Sequence, residues 1–124
     1  MEVPLSDMID RYSILLLKKG RLPEDAKLTE EYARFASELG AYSDQKYIRE
    51  HIDLLVAVNG KIWDLESDIR KGKEGTLGLE EVGRRALLIR DLNAERIRLK
   101  NRIAERWGEF KEIKIDHASG TSPL

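Results

Sequence analysis

The sequence predicts an all-α protein built on a long antiparallel helical hairpin, with two shorter helices packed across it. Three observations predict that class. Between Ser43 and Lys71, the residues Ile48, His51, Leu55, Val58, Ile62, Leu65 and Ile69 recur at alternating spacings of three and four, the seam that a helix buries against a partner helix. A second series, Val82, Ala86, Ile89, Leu92, Leu99, Ile103 and Trp107, follows after a break at Gly72, Gly75 and Gly78. Charged residues make up 36% of the 124, above the roughly 25% usual in globular domains, as long helices with wide solvated faces require.

Each element has its own signals. Pro4 disfavours a helical residue before it, Ser6 is a candidate N-cap and Asp7 suits the positive end of the helix dipole, so a first helix is expected from Ser6 to Lys19, stopped by Gly20. Its inward positions are Met8, Ile9, Tyr12, Leu15 and Leu16, with Asp10, Ile14 and Leu17 as a second line. After a connection holding Pro23, the helical spacing of Leu28, Tyr32, Phe35 and Leu39 predicts a short second helix ending at Gly40. Ser43 or Asp44 then caps the long third helix. Gly60 inside it costs about 1 kcal/mol relative to Ala, which points to a close approach or a bend. Gly108 stops the fourth helix. Beyond it, Phe110, Ile113 and Ile115 alternate with charged residues, a pattern for a short extended segment that can pair with Glu2 and Val3 as a two-stranded ribbon between the termini. Residues 1–117 read as one domain and 118–124 as a flexible tail.

Composition restricts the function classes. Lys plus Arg (22) nearly balance Asp plus Glu (23), so no bulk field draws nucleic acid or an anionic membrane. There is no cysteine, which removes disulfides and thiolate metal sites and suits a reducing compartment; with neither a signal peptide nor an apolar stretch of bilayer length, the expected location is the cytoplasm.

A second face of the third helix, Ile52, Val56, Asn59, Trp63, Glu66 and Arg70, starts apolar and ends in hydrogen-bonding groups. With a turn near Gly75, uniform helical rise sets Asn59 level with Arg90, Asp91 and Asn93, Glu66 level with Arg84 and Arg85, and Arg70 level with Glu80 and Glu81. Complementary charges at matched levels satisfy one another, so these residues are read first as pins that fix the register of two helices. The alternative is a polar pocket formed by Asn59, Trp63, Glu66, Arg70, Arg84, Arg90 and Asn93, with the indole as its wall. His51, on an apolar seam, reads as a satisfied core histidine. Asp64, Asp68, Glu80 and Glu81 could face each other as Mg²⁺-binding carboxylates do, but interleaved Lys61, Lys71 and Lys73 favour a solvated face, and neither a metal ligand nor a catalytic residue is assigned. Arg98, Arg102 and Arg106 form a stripe spaced to follow phosphates, beside Glu95 and Glu105 that weaken it.

Three segments, LSDMIDRYSILLLK (Leu5 to Lys18), VNGKIWDLESDIR (Val58 to Arg70) and LNAERIRLKNRI (Leu92 to Ile103), carry a resemblance. In words and spacing the chain resembles a family of small helical proteins of unknown function found in bacteria and bacteriophages. That resemblance implies no activity, cofactor or site. The reading that follows is a protein-interaction module, leaning away from an enzyme and needing no cofactor. Val56, Trp63, Leu54 and Leu88 add apolar surface beyond one seam, so the expected partner is a second copy, a dimer being favoured, or another helical protein. The alternatives are binding, or Mg²⁺-dependent hydrolysis, of a small phosphate-bearing ligand at the polar end of the hairpin, and nucleic-acid binding by the Arg stripe.

Overall fold

The computed structural model describes residues 3–70 and 77–109, apart from the side chains of Asp68 and Arg70. The described residues form four helices, α1 (Leu5–Arg21), α2 (Ala26–Gly40), α3 (Gln45–Arg70) and α4 (Leu79–Arg106). None of these helices is long and apolar enough to cross a membrane. Helix α1 packs on all three others, and α3 and α4 pack on each other. The Tyr47 hydroxyl donates to the Arg102 carbonyl, Asp44 pairs with Arg106, and Lys61 and Leu65 lie beside Leu88 and Leu92, so the start of α3 meets the end of α4.

The core follows the predicted seams. Ile48, Leu55, Val58 and Ile62 of α3, Leu5, Met8, Ile9 and Leu15 of α1, Phe35 and Leu39 of α2, and Leu99 and Ile103 of α4 are buried in one cluster. Helix α2 adds Leu28 and Tyr32 at the edge, where the Tyr32 ring stacks on Tyr12 at 5.2 Å. Burial, and then Tyr32 beside it, pushes the Tyr12 phenol up to about 12. The expected inward position Ala86 is exposed, whereas Ala94 and Ala104 are buried. The α1 contacts recorded on α4 fall at Arg96 and Lys100, two turns and more beyond Ala86, where small residues let the helices approach.

Several boundaries differ from those expected, each for a local reason. Helix α1 begins at Leu5 rather than after Ser6, which lies buried inside the first turn. It also runs through Gly20 and stops at Leu22, whose extended backbone (φ −109°, ψ 157°) is the conformation that Pro23 imposes on its predecessor. Asp25 caps α2 by accepting from the Lys27 N–H at 2.8 Å. Before α3, Asp44 adopts φ 58°, a left-handed conformation that Asp tolerates better than most residues, and its carbonyl accepts from Ile48. The Gln45 amide donates to the Leu39 and Tyr42 carbonyls and so closes the end of α2. At Gly60 a Cβ would come within 3.4 Å of the Arg21 guanidinium and 3.5 Å of Leu17, which identifies the close approach as that of α1.

The described residues contain no strand; of the expected ribbon between the termini, Glu2 and residues 110–115 lie outside them, as does the tail 118–124. A different link joins the two ends. Gly108 takes φ 68° after α4, the Gly108 N–H bonds back to Glu105 and the Glu109 N–H to Ala104, a helix-ending turn that needs a glycine at its left-handed position. The turn delivers Glu109 to the start of α1, where its carboxylate accepts from the backbone N–H groups of Leu5 (2.5 Å) and Ser6 (3.0 Å). No side chain within α1 caps that end, so Glu109 satisfies orphan donors from more than a hundred residues away. Glu109→Ala is expected to lower stability by about 1–2 kcal/mol, measured by urea unfolding, whereas Glu109→Gln should retain part of the loss.

Candidate functional site

Two polar side chains interrupt the apolar inner side of α1. Asp10 is 3% exposed and Ser13 is fully buried. A carboxylate withdrawn from water this far must be paired, and two other helices supply its partners. Arg96 of α4 grips it with two hydrogen bonds, Nε to Oδ1 at 2.9 Å and a terminal nitrogen to Oδ2 at 2.5 Å. Asn59 of α3 donates to Asp10 Oδ1 at 3.1 Å and to Ser13 Oγ at 2.9 Å, and the Ser13 hydroxyl donates to the Asp10 carbonyl at 2.5 Å. One turn earlier on α1, Asp7 pairs with the mostly buried Lys100 at 2.9 Å.

Asn59 and Arg96 of this knot line a cleft of about 680 Å³ between α1, α3 and α4. One wall is apolar: Ile14 and Leu17 from α1, Ile62 and the half-buried indole of Trp63 from α3. Polar groups line the same cleft, namely Lys18, Arg21, Glu66, Ser67, Asn93 and Arg96. Arg21 lies over the Trp63 ring, 5.6 Å from its centre, and gives a 2.6 Å hydrogen bond to Asp64 at the rim. Lys18, Ser67 and Asn93 have no side-chain partner among the described residues. Asn59 spends its amide N–H groups on Asp10 and Ser13, which leaves its carbonyl oxygen for the cleft it lines.

Of the seven residues read as a pocket, Asn59, Trp63, Glu66 and Asn93 meet in this cleft. Arg84 does not line it. Its guanidinium forks onto Glu81 one turn back on α4, with bonds of 2.8 and 2.6 Å, and Arg85 adds a third at 3.1 Å. These hydrogen bonds hold the Glu81 carboxyl down at about 2. Of the two arginines expected level with Glu66, Arg84 and Arg85, both reach Glu81 within their own helix, because residues three and four apart on a helix meet without any folding of the chain. Arg90 is likewise turned outward, against Asp91 at 3.3 Å. The side chain of Arg70 lies outside the described residues.

The arginine stripe is partly neutralised: Arg98 is paired with Glu95, and Arg106 with Asp44 while also lying over the Tyr47 ring, which leaves Arg102 exposed on the same helix. His51 is buried as expected but only half satisfied. Its Nδ1 lies 3.0 Å from the Tyr47 carbonyl and its ring stacks on Tyr47, whereas Nε2 has no partner among the described residues. Among those residues no three His, Asp or Glu side chains are grouped so as to hold a metal ion.

The sequence reading missed Asp10, Ser13, Lys18 and Arg96. Asp10 shares a line of α1 with Ile14 and Leu17, beside the inward positions. The signal was there: a carboxylate among core positions demands a cation from another helix, and Arg96 stands one turn after Asn93. Comparison of the chain with protein-family models, with curated proteins and with solved structures finds no match.

Proposed function

We propose that the cleft binds a small ligand that carries an anionic group, a phosphate or carboxylate, on a flat apolar body. The observation behind this reading is that an unpartnered ammonium, Lys18, lines the same cleft as the free amide of Asn93, the hydroxyl of Ser67 and the indole of Trp63. The cleft's volume lies within the roughly 300–1,000 Å³ typical of ligand sites. Three cations line it against one carboxylate, Glu66. Asp10 and Asp64 brace Arg96 and Arg21 and fix their positions, and Lys18 supplies the uncompensated charge. In this reading α3 and α4 act as one long antiparallel hairpin, and α1 laid across it completes the cleft.

Titration with AMP, phenyl phosphate and inorganic phosphate, followed by Trp63 emission with Trp63→Phe as control, tests the reading. Saturable quenching is expected with AMP or phenyl phosphate, weaker binding with phosphate alone, and a loss of affinity of about tenfold or more in Lys18→Ala. If none of the three probes alters the emission at millimolar concentration, or if Lys18→Ala titrates like the parent, the cleft is not an anion site.

A further inference from the structure

A second concavity lies between α3 and α4, lined by these two helices alone. Its volume is about 600 Å³, its floor is Leu65, Leu88 and Leu92, and its rim is Lys61, Asp64, Asp91, Glu95 and Arg98. Leu88 is 38% exposed, and Leu54, two turns before Lys61 on the same side of α3, is 44% exposed. Leucines left this open along two adjacent helices form an apolar strip rather than scattered single residues.

We propose that a second copy of this chain docks on this groove, across a twofold axis that crosses α3 between Lys61 and Asp64. The charges of the rim carry the argument. A twofold interface sets each patch against itself, so a rim of one sign would repel. Here α3 carries Lys61 with Asp64, and α4 carries Asp91 and Glu95 with Arg98. An axis between Lys61 and Asp64 brings the ammonium of each copy to the carboxylate of the other, twice. Asp64 gives one oxygen to Arg21 and remains 68% exposed, so it can accept a second cation. By the levels set at Asp44–Arg106 and Tyr47–Arg102, the same axis passes Leu88 on α4, and the most open leucine of the groove floor then meets its own copy. Area is sufficient as well. Helices of 26 and 28 residues side by side present a face of roughly 40 by 20 Å, which matches the about 800 Å² per partner of a standard interface.

The axis makes the test specific. Light scattering of the full chain after size exclusion is expected to give twice the 14.3 kDa chain mass at high micromolar concentration. Lys61→Asp sets two carboxylates against each other and Asp64→Lys two ammonium groups, so each variant alone should dissociate at a concentration at least tenfold higher. Mixed in equal amounts, the two variants form both cross-pairs and should recover the dimer. Leu88→Cys, in a chain with no other cysteine, should oxidise to a disulfide-linked dimer, while Leu54→Cys, away from the axis, should not. Circular dichroism of each variant separates lost association from lost folding. A parent chain that stays monomeric at all concentrations overturns the proposal and leaves the groove to a different protein. A dimer that the charge variants do not weaken, or that their mixture does not restore, overturns the axis and with it the surface.

Discussion

Asp10→Ala is expected to destabilise the protein by about 3–5 kcal/mol, the cost of leaving a partly buried cation without its counterion. The substitution removes the two carboxylate oxygens that Arg96 binds, its side chain being 31% exposed, and one of the two acceptors of the buried Asn59 amide. Arg96→Met should cost a similar amount, because it strands the carboxylate of Asp10, which Asn59 alone cannot neutralise. The two losses are not expected to add. In the double variant Asp10→Leu with Arg96→Met no charge is stranded, and stability should recover to within about 2 kcal/mol of the parent, since well-packed apolar groups often replace buried ion pairs at little cost. Urea unfolding of the four proteins measures the coupling. Strict additivity would mean that the pair is solvated in solution and that the knot does not hold Asn59 and Arg96 in the cleft.

Two neighbouring leucines should behave oppositely. Leu55 is 0% exposed at the centre of α3 and belongs to the core shared by all four helices, whereas Leu54 points outward. Leu55→Ala should cost about 2–5 kcal/mol, the loss of burial together with the cavity left behind. Leu54→Ala should change monomer stability by less than about 0.5 kcal/mol. Thermal unfolding at low micromolar concentration, where a dimer contributes least, is the appropriate measurement. Equal effects at the two positions would show that the rotation of α3 about its axis is wrong, and with it the assignment of Asn59 and Trp63 to the cleft.

What the sequence disclosed and what it hid divide along a physical line. The seam from Ile48 to Ile62 was legible because burial along a helix repeats with its own period, so the face of α3 and the place of Asn59 and Trp63 on it could be read directly. The hold of Arg84 and Arg85 on Glu81 was not, because a seam marks which face is buried and not which neighbours three and four positions apart pair on the open face. The expectation for Phe110, Ile113 and Ile115, which lie outside the described residues, rested on alternation alone, and alternation says nothing about the carboxylate of Glu109 that holds the start of α1. Matching levels across two helices put Asn93 near Asn59, and both line the cleft, but it had no term for a third helix, and Lys18 enters the cleft from α1 while Asp10 and Ser13 hold Asn59 from beneath.

The anchoring of α1 bears on the order in which the chain can fold as it is made. Glu109, Lys100 and Arg96 hold Leu5, Asp7 and Asp10, and all three belong to the last helix or to the turn after it. On the ribosome the first helix therefore emerges with a carboxylate on its apolar face and an uncapped end, and nothing made before Arg96 can neutralise the one or satisfy the other. Its stable docking waits for nearly the whole chain. Such long-range closure slows folding relative to helical proteins built from local contacts. It also means that a truncated chain lacking the end of α4 would be left with the first helix unlatched.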